Sequence, residues 1–295
     1  MHRPAFAVIA APSALGLQTD GVAGLPDALL AAGLGTVLGA RSAGRVEPSP
    51  RSAGVDPVTG VRNAAGVAGY ARRLATAVGA VLDRGEFPVV LGGDCSILLG
   101  SLLALRPRGR HGLLFLDGHA DFYQPDTDPE AEAASMELAF ATGRGPALLA
   151  DLDGGGPLVR DGDVAAFGLR DAAEQAAAGC APLPAGLRSW DLDRVRRTGV
   201  ERAAAEAVAH VARPDLDGFW VHVDADVVDD ALMPAVDYRL AGGLSWDELG
   251  AVLATAMRSG RAVGFEITIY NPDLDPDGSA GHALAATLGR ALNAA

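Results

Sequence analysis

Short apolar runs that do not alternate are the feature of this chain that most restricts its fold. They are Ala5–Ala10, Thr36–Leu38, Pro88–Leu91, Gly112–Leu116, Val164–Phe167, Phe219–Val223 and Ala262–Ile269. A strand with one face in water alternates apolar and polar residues. A run without alternation is covered on both faces, as in a parallel sheet. Between the runs lie Ala/Leu-rich stretches with helical spacing. In Asn63 to Leu82, the residues Val67, Tyr70, Ala71, Leu74, Val78 and Val81 recur at three- and four-residue steps. Ser245 to Met257 opens on Ser245-Trp246-Asp247-Glu248, a capping box, and ends near Gly260. Strand–helix alternation predicts an α/β fold with a parallel, doubly wound sheet. No second core is legible, so one domain is expected over residues 1–295. Ala40–Thr59, Pro125–Ala134 and Gly154–Gly162 are rich in Pro, Gly, Ser and acids and read as surface loops.

Composition excludes several functions. The net charge is −13, which repels phosphate backbones and argues against nucleic acid or an anionic membrane as partner. The chain has no Lys, so Schiff-base chemistry and a P-loop lysine are out. Two cysteines, Cys95 and Cys180, give no disulfide framework and point to a reducing cytoplasm. The uncharged stretch from Pro4 to Thr19 is broken by Pro12 and is shorter than the ~18 apolar residues of a membrane span. Met1-His2-Arg3-Pro4 followed by Ala5–Ala11 faintly resembles a signal peptide, but reads better as a first buried strand.

Three of the apolar runs end in polar clusters. Val89-Val90-Leu91 leads into Gly92-Gly93-Asp94-Cys95-Ser96, Leu114-Phe115-Leu116 into Asp117-Gly118-His119-Ala120-Asp121, and Trp220-Val221-His222-Val223 into Asp224-Ala225-Asp226. Ligands of open α/β sheets bind at the carboxyl ends of strands, so the three clusters can converge. Four aspartates brought together without a cation would raise one another's pKa values. Divalent metal relieves this, and two ions sharing bridging carboxylates use Cys95, Asp117, His119, Asp121, Asp224 and Asp226 more naturally than one. Taken singly, each aspartate could be a helix cap and Cys95 a small buried hydrophobe. Together, at three strand ends, they point to a metal site.

These motifs, with Gly168-Leu169-Arg170-Asp171, Gly242-Gly243-Leu244-Ser245, Tyr270-Asn271-Pro272 and the early Ala11-Pro12 and Gly21-Val22, make the sequence resemble the arginase/agmatinase (ureohydrolase) family along nearly its whole length. The resemblance implies a three-layer α/β/α fold with a parallel sheet of about eight strands. It also implies a binuclear manganese centre, Mn2+ at two per chain. A metal-bridging hydroxide there splits a linear C–N bond of a guanidino or formimino group on a small-molecule substrate. Carried over by position, Cys95, Asp117, Asp121 and Asp224 would hold one ion, and His119, Asp117, Asp224 and Asp226 the other. Asp121 would also accept a hydrogen bond from the hydroxide, a catalytic role. Homo-oligomers are common in the family.

The chain departs from the family in its details. Cys95 stands where His is usual, and a softer thiolate tilts the site toward Zn2+ or Fe2+, while the oxygens favour Mn2+. The family's catalytic His falls near Ala134. Glu137 could face the pocket instead, but is expected to be a solvated helix residue. Ile269 occupies the place of the guanidinium-binding Glu. Glu266, three residues earlier, is expected to support the site from behind, accepting the free N–H of His119. Ala173 and Tyr123 replace residues that read an amino acid's head group. His222 shares parity with Asp224 and is a shuttle, a pocket wall or, more simply, a core residue. Arg170 either binds an anionic substrate group or pairs with a loop acid. The leading expectation is a binuclear hydrolase that does not act on arginine. Its rivals are a non-catalytic metal-binding relative and a single-zinc, deacetylase-like relative.

Overall fold

The computed structural model describes residues 4–52 and 54–294. Met1–Arg3, where the faint signal-peptide pattern begins, lie outside the described residues. Eight strands, β1 Phe6–Ala10, β2 Arg41–Arg45, β3 Phe87–Leu91, β4 Gly112–Leu116, β5 Val164–Phe167, β6 Arg188–Trp190, β7 Phe219–Asp224 and β8 Ala262–Thr268, form one sheet. Their order is β2-β1-β3-β8-β7-β4-β5-β6, and every pair is parallel. The central strands β3, β4 and β7 are buried from end to end, and β8 is buried from Gly264 onward, which is why their sequences do not alternate.

Helices cover both faces, giving the three-layer α/β/α arrangement. On one face Val89, Leu114, Val221 and Phe265 pack against apolar residues of the helices Val200–Val211, Trp246–Arg258 and Ser279–Leu292. On the other, Ile9, Val90, Phe115 and Trp220 meet Val67, Tyr70, Leu74 and Val78 of Ala64–Leu82 and the helix Leu98–Leu105. The capping box forms as its sequence suggests. Ser245 Oγ accepts from Glu248 N, and Glu248 Oε2 accepts from Ser245 N at 2.8 Å.

Two expectations fail at the sheet's margins. Thr36–Leu38 is the end of a one-turn helix, Leu34–Leu38, stopped by Gly39 in the left-handed conformation. The neighbouring strand is instead β2, inside a segment read as loop. The opposite margin, β6, was not anticipated. Edge strands have less to bury, and β2 is largely exposed, so apolar runs do not mark them.

The central strands position the site. The three polar clusters follow β3, β4 and β7, and the sheet order sets β3, β8, β7 and β4 side by side. Register does the rest. Phe115 of β4 pairs with His222 of β7, and His222 with Glu266 of β8, so all three face the same side. Two residues further along, Asp117, Asp224 and Thr268 return to that side at the strands' carboxyl ends. Gly93 lets the loop after β3 close on the loop after β1. A Cβ there would collide with the Ser13 carbonyl, which accepts from Asp94 N at 2.9 Å.

Candidate metal centre

Each carboxylate at the strand ends is tied by one oxygen to nearby backbone and offers its other oxygen inward. Asp117 Oδ1 accepts from His119 N at 2.7 Å, Asp224 Oδ1 from Asp226 N at 2.8 Å, and Asp226 Oδ1 from Gly118 N at 3.1 Å. The second oxygens diverge in their fates. Asp226 Oδ2 lies 2.8 Å from His119 Nδ1, and Asp224 Oδ2 lies 2.7 Å from Cys95 Sγ. Asp117 Oδ2 is buried with no partner. Asp121 holds a left-handed backbone at φ 44°, costly for a residue with a Cβ and tolerated best by Asn and Asp.

Electrostatics are those of a site short of positive charge. Burial, then the neighbouring carboxylates, pushes Asp117 and Asp224 well above the usual carboxylate range. Burial likewise raises Asp121 to about 7, against the pull of His119. Burial and then Asp224 push the Cys95 thiol up. The His119–Asp226 pair behaves in the opposite way. Burial opposes both charges, but attraction wins: His119 rises to about 10 and Asp226 falls.

Two residues treated as peripheral in the sequence belong to the cluster. Glu137, expected in solvent, is wholly buried, and its two oxygens find no donor. The loop before it folds back under the site, and Ala139 N donates to the Asp121 carbonyl. Burial and then Asp121 raise its pKa well above normal. His222 is also wholly buried. It stacks on Phe115 at 4.9 Å, its Nδ1 lies 2.8 Å from Glu266 Oε1, and its Nε2 has no partner. The partners of Glu266 are thus His222 and Ser101 Oγ, at 2.5 Å, and not the expected His119. The parity of His222 with Asp224 signalled this placement; nothing local signalled Glu137.

Among the described residues, two groups bring ligand atoms within 4.8 Å of one another. One comprises Cys95, Asp117, Glu137 and His222, the other Asp117, His119 and Asp226. Asp117 is common to both, as a bridging carboxylate would be. Asp121 and Asp224 fall in neither, although Asp224 touches Cys95. The unpartnered oxygens of Asp117 and Glu137, the unpartnered His222 nitrogen and the mixed S, N and O donors fit divalent cations.

A cavity of about 200 Å³ opens onto the site. Cys95, His119, Asp121, Asp224 and Asp226 form its floor, and Ala134, Tyr123 and Ile269 belong to its walls. Ile269 is itself left-handed at φ 69°, an outlier for a β-branched residue. Asp128, Glu130, Glu132 and Glu174 also line the cavity, and no Arg does. Arg170 plays neither expected role. It donates to the carbonyls of Asp226, Leu240 and Ala241 and so clamps the loops around the site.

An all-parallel sheet with candidate metal ligands at the ends of its central strands is the arrangement that the resemblance to the ureohydrolases implied. The comparisons agree. The profile of the arginase family matches residues 5–294. An arginase of Bacillus caldovelox is 29% identical over 230 residues, 78% of this chain and 76% of its own. The native crystal structure of the arginase from that organism superposes with a TM-score of 0.87 at 26% identity, covering 99% of this chain and 98% of that one. A formimidoylglutamase of Bacillus subtilis shares the fold with a TM-score of 0.74 at 20% identity, over 100% of this chain and 88% of its own. The chain belongs to the arginase family.

Proposed function

We propose that this protein is a metal-dependent hydrolase of a linear guanidino- or amidino-type C–N bond, and that arginine is a poor substrate. The observation that carries the reading is the floor of the cavity. A thiol, an imidazole and carboxylates lie there, with Asp117 Oδ2 and both Glu137 oxygens buried behind them without a donor, and family membership supports hydrolysis at such a floor. Two ions suit it, Mn2+ first, with Zn2+ or Fe2+ drawn by Cys95. Bound divalent ions supply Lewis-acid polarisation and a water acidic enough to attack near neutral pH. Asp121, on the cavity floor, would accept a hydrogen bond from the attacking water and so orient it. Glu266 acts from behind by orienting His222. The sheet's unity supports one catalytic domain, and two free thiols favour a cytoplasmic setting. No helix among the described residues is long and apolar enough to cross a membrane.

The walls select the substrate. Ala134 supplies no proton donor and Ile269 no counter-charge for a guanidinium. An unpaired cation in a partly dry pocket costs several kcal/mol. A reacting group of lower basicity, such as an N-hydroxyguanidine or a ureido group, avoids that loss. The acidic lining favours a substrate whose far end is an amine and disfavours one ending in a carboxylate. The same two apolar residues support the alternative of a non-catalytic metal-binding relative. A panel of guanidines, amidines and amides, run with Mn-, Zn- and Fe-loaded protein, tests the reading. Arginine turnover is expected to fall below that of the best less-basic analogue by roughly 10²–10⁴-fold, the usual worth of a missing general acid. Ile269→Glu with Ala134→His is expected to raise turnover of a guanidine. No turnover of any member of the panel would favour the non-catalytic relative.

A further inference from the structure

The two ligand groups differ in their access to the cavity. His119 and Asp226 line it, while Glu137 and His222 do not and are wholly buried. Cys95 reaches both places, lining the cavity and lying within 4.8 Å of Asp117, Glu137 and His222 at the ligand atoms. Tetrahedral zinc with a thiolate, an imidazole and two carboxylates has bonds of about 2.0–2.3 Å, so its donors lie roughly 3.3–3.8 Å apart. A four-donor cluster within 4.8 Å needs only a slight contraction to reach that geometry. The orphaned atoms converge on one place: Asp117 Oδ2 and His222 Nε2 are buried without partners, and both Glu137 oxygens are buried without a donor, beside the Asp121 carboxyl. Glu266 accepts from His222 at Nδ1, which fixes Nε2 as the nitrogen with a free lone pair.

We infer that Cys95, Asp117, Glu137 and His222 form a closed, buried zinc site behind the open His119–Asp226 site. The inference rests on the two-ion reading above and changes the ligands on one side of it. On the Cys95 side the ion is held by Glu137 and His222, with Asp121 beside Glu137 and Asp224 beside Cys95 facing the cavity. Four protein ligands leave that zinc no open position, so it is structural. The ion beside His119 and Asp226, with fewer protein ligands and the cavity before it, is the exchangeable one. The centre is then asymmetric, zinc behind and an oxygen-preferring ion such as Mn2+ in front.

The test is X-ray absorption at the zinc edge of the full-length protein carrying one equivalent of Zn2+ and then Mn2+. The expected spectrum shows one sulfur at about 2.3 Å, nitrogen and oxygen near 2.0–2.1 Å, and imidazole outer-shell scattering. The imidazole signature persists in His119→Gln and disappears in His222→Gln. Zinc affinity in Glu137→Gln falls by more than the roughly 10–100-fold that loss of an outer partner costs. Manganese affinity in the same variant is little changed. Absence of sulfur from the spectrum of the unmodified protein overturns the inference whatever the variants do. So does an imidazole signature that follows His119, or zinc affinity indifferent to Glu137→Gln. Failure of turnover with this spectrum intact counts against the hydrolase reading alone, and turnover without the spectrum against the zinc site alone.

Discussion

The two halves of the ligand cluster at the cavity floor and behind it solve the same electrostatic problem in different ways. On one side His119 and Asp226 neutralise each other, and each stabilises the other's charged form. On the other, Cys95, Asp117, Asp224 and Glu137 have no cation among their main influences, Asp121 has only the pull of His119, and burial pushes all five toward their protonated forms. The first half is stable in its charged state without help. The second is complete only with protons or a metal in place. A buried polar cluster with no partner is costly, and its persistence in a fold marks it as a binding site more strongly than a satisfied ion pair does.

Breaking the residue common to both halves has the largest expected effect. Asp117→Asn removes a charge from each ligand group and is expected to lower metal content on both sides, by elemental analysis, and activity by more than about 100-fold, the upper range for outer partners. Adding Asp224→Asn removes a second carboxylate beside Cys95 and is expected to lower metal content further. Full metal content in the double variant would refute the bridging assignment.

Titration of the metal-free protein separates the halves next. Asp121 has its folded pKa raised from 3.8 to about 7, so its contribution is fully favourable below 3.8 and is lost as pH rises through about 7. The raised Asp117, Asp224 and Glu137 act in the same direction. His119, raised from 6.5 to about 10, keeps its contribution up to pH 6.5 and loses it only through about 10. Asp226, depressed below 3.8, loses its contribution only in stronger acid. Between pH 4 and about 6.5, therefore, of the two halves only the Cys95 half changes. Thermal melting of metal-free protein is expected to fall across that window by the equivalent of a few kcal/mol. Saturating metal is expected to flatten the curve. A metal-free melt that rises across that window would show that the second half is not proton-starved.

What the sequence revealed follows local spacing and cuts across that division. Asp117, His119 and Asp121 were legible because a strand end and a short loop hold their spacing locally. Asp224 and Asp226 were legible for the same reason. Glu137 was not. Its position depends on a loop that returns to the site, pinned by Tyr123 N donating to the Ser135 carbonyl at 3.1 Å, and the apolar Met136 and Leu138 beside it signal burial without saying what Glu137 faces. The link between His222 and Glu266 depends on β7 lying beside β8, a sheet order that hydrophobic periodicity does not encode. The core strands could be read from their composition. The edge strands Arg41–Arg45 and Arg188–Trp190 could not, because an edge buries too little to impose an apolar run.

The finest test of the asymmetry lies behind His222. Glu266 is wholly buried between Ser101, which donates to Oε2 at 2.5 Å, and His222 Nδ1, 2.8 Å from Oε1. A carboxylate in that place orients the imidazole and makes its far nitrogen a better donor of electrons to a metal. Glu266→Gln keeps the shape but loses the charge, and is expected to weaken metal binding on the Cys95 side by roughly 10–100-fold. Ser101→Ala removes one hydrogen bond and leaves the charge, a change of about 1–3 kcal/mol in stability. Its effect on metal affinity is expected to be smaller than that of Glu266→Gln. Neither Glu266 nor Ser101 touches His119 or Asp226, so both variants should leave metal binding on that side as it was. Competitive metal titration of the two variants reads this directly. Equal weakening of both ions would mean that the halves are one electrostatic unit, and the division between a self-neutralised pair and a metal-dependent cluster would not hold.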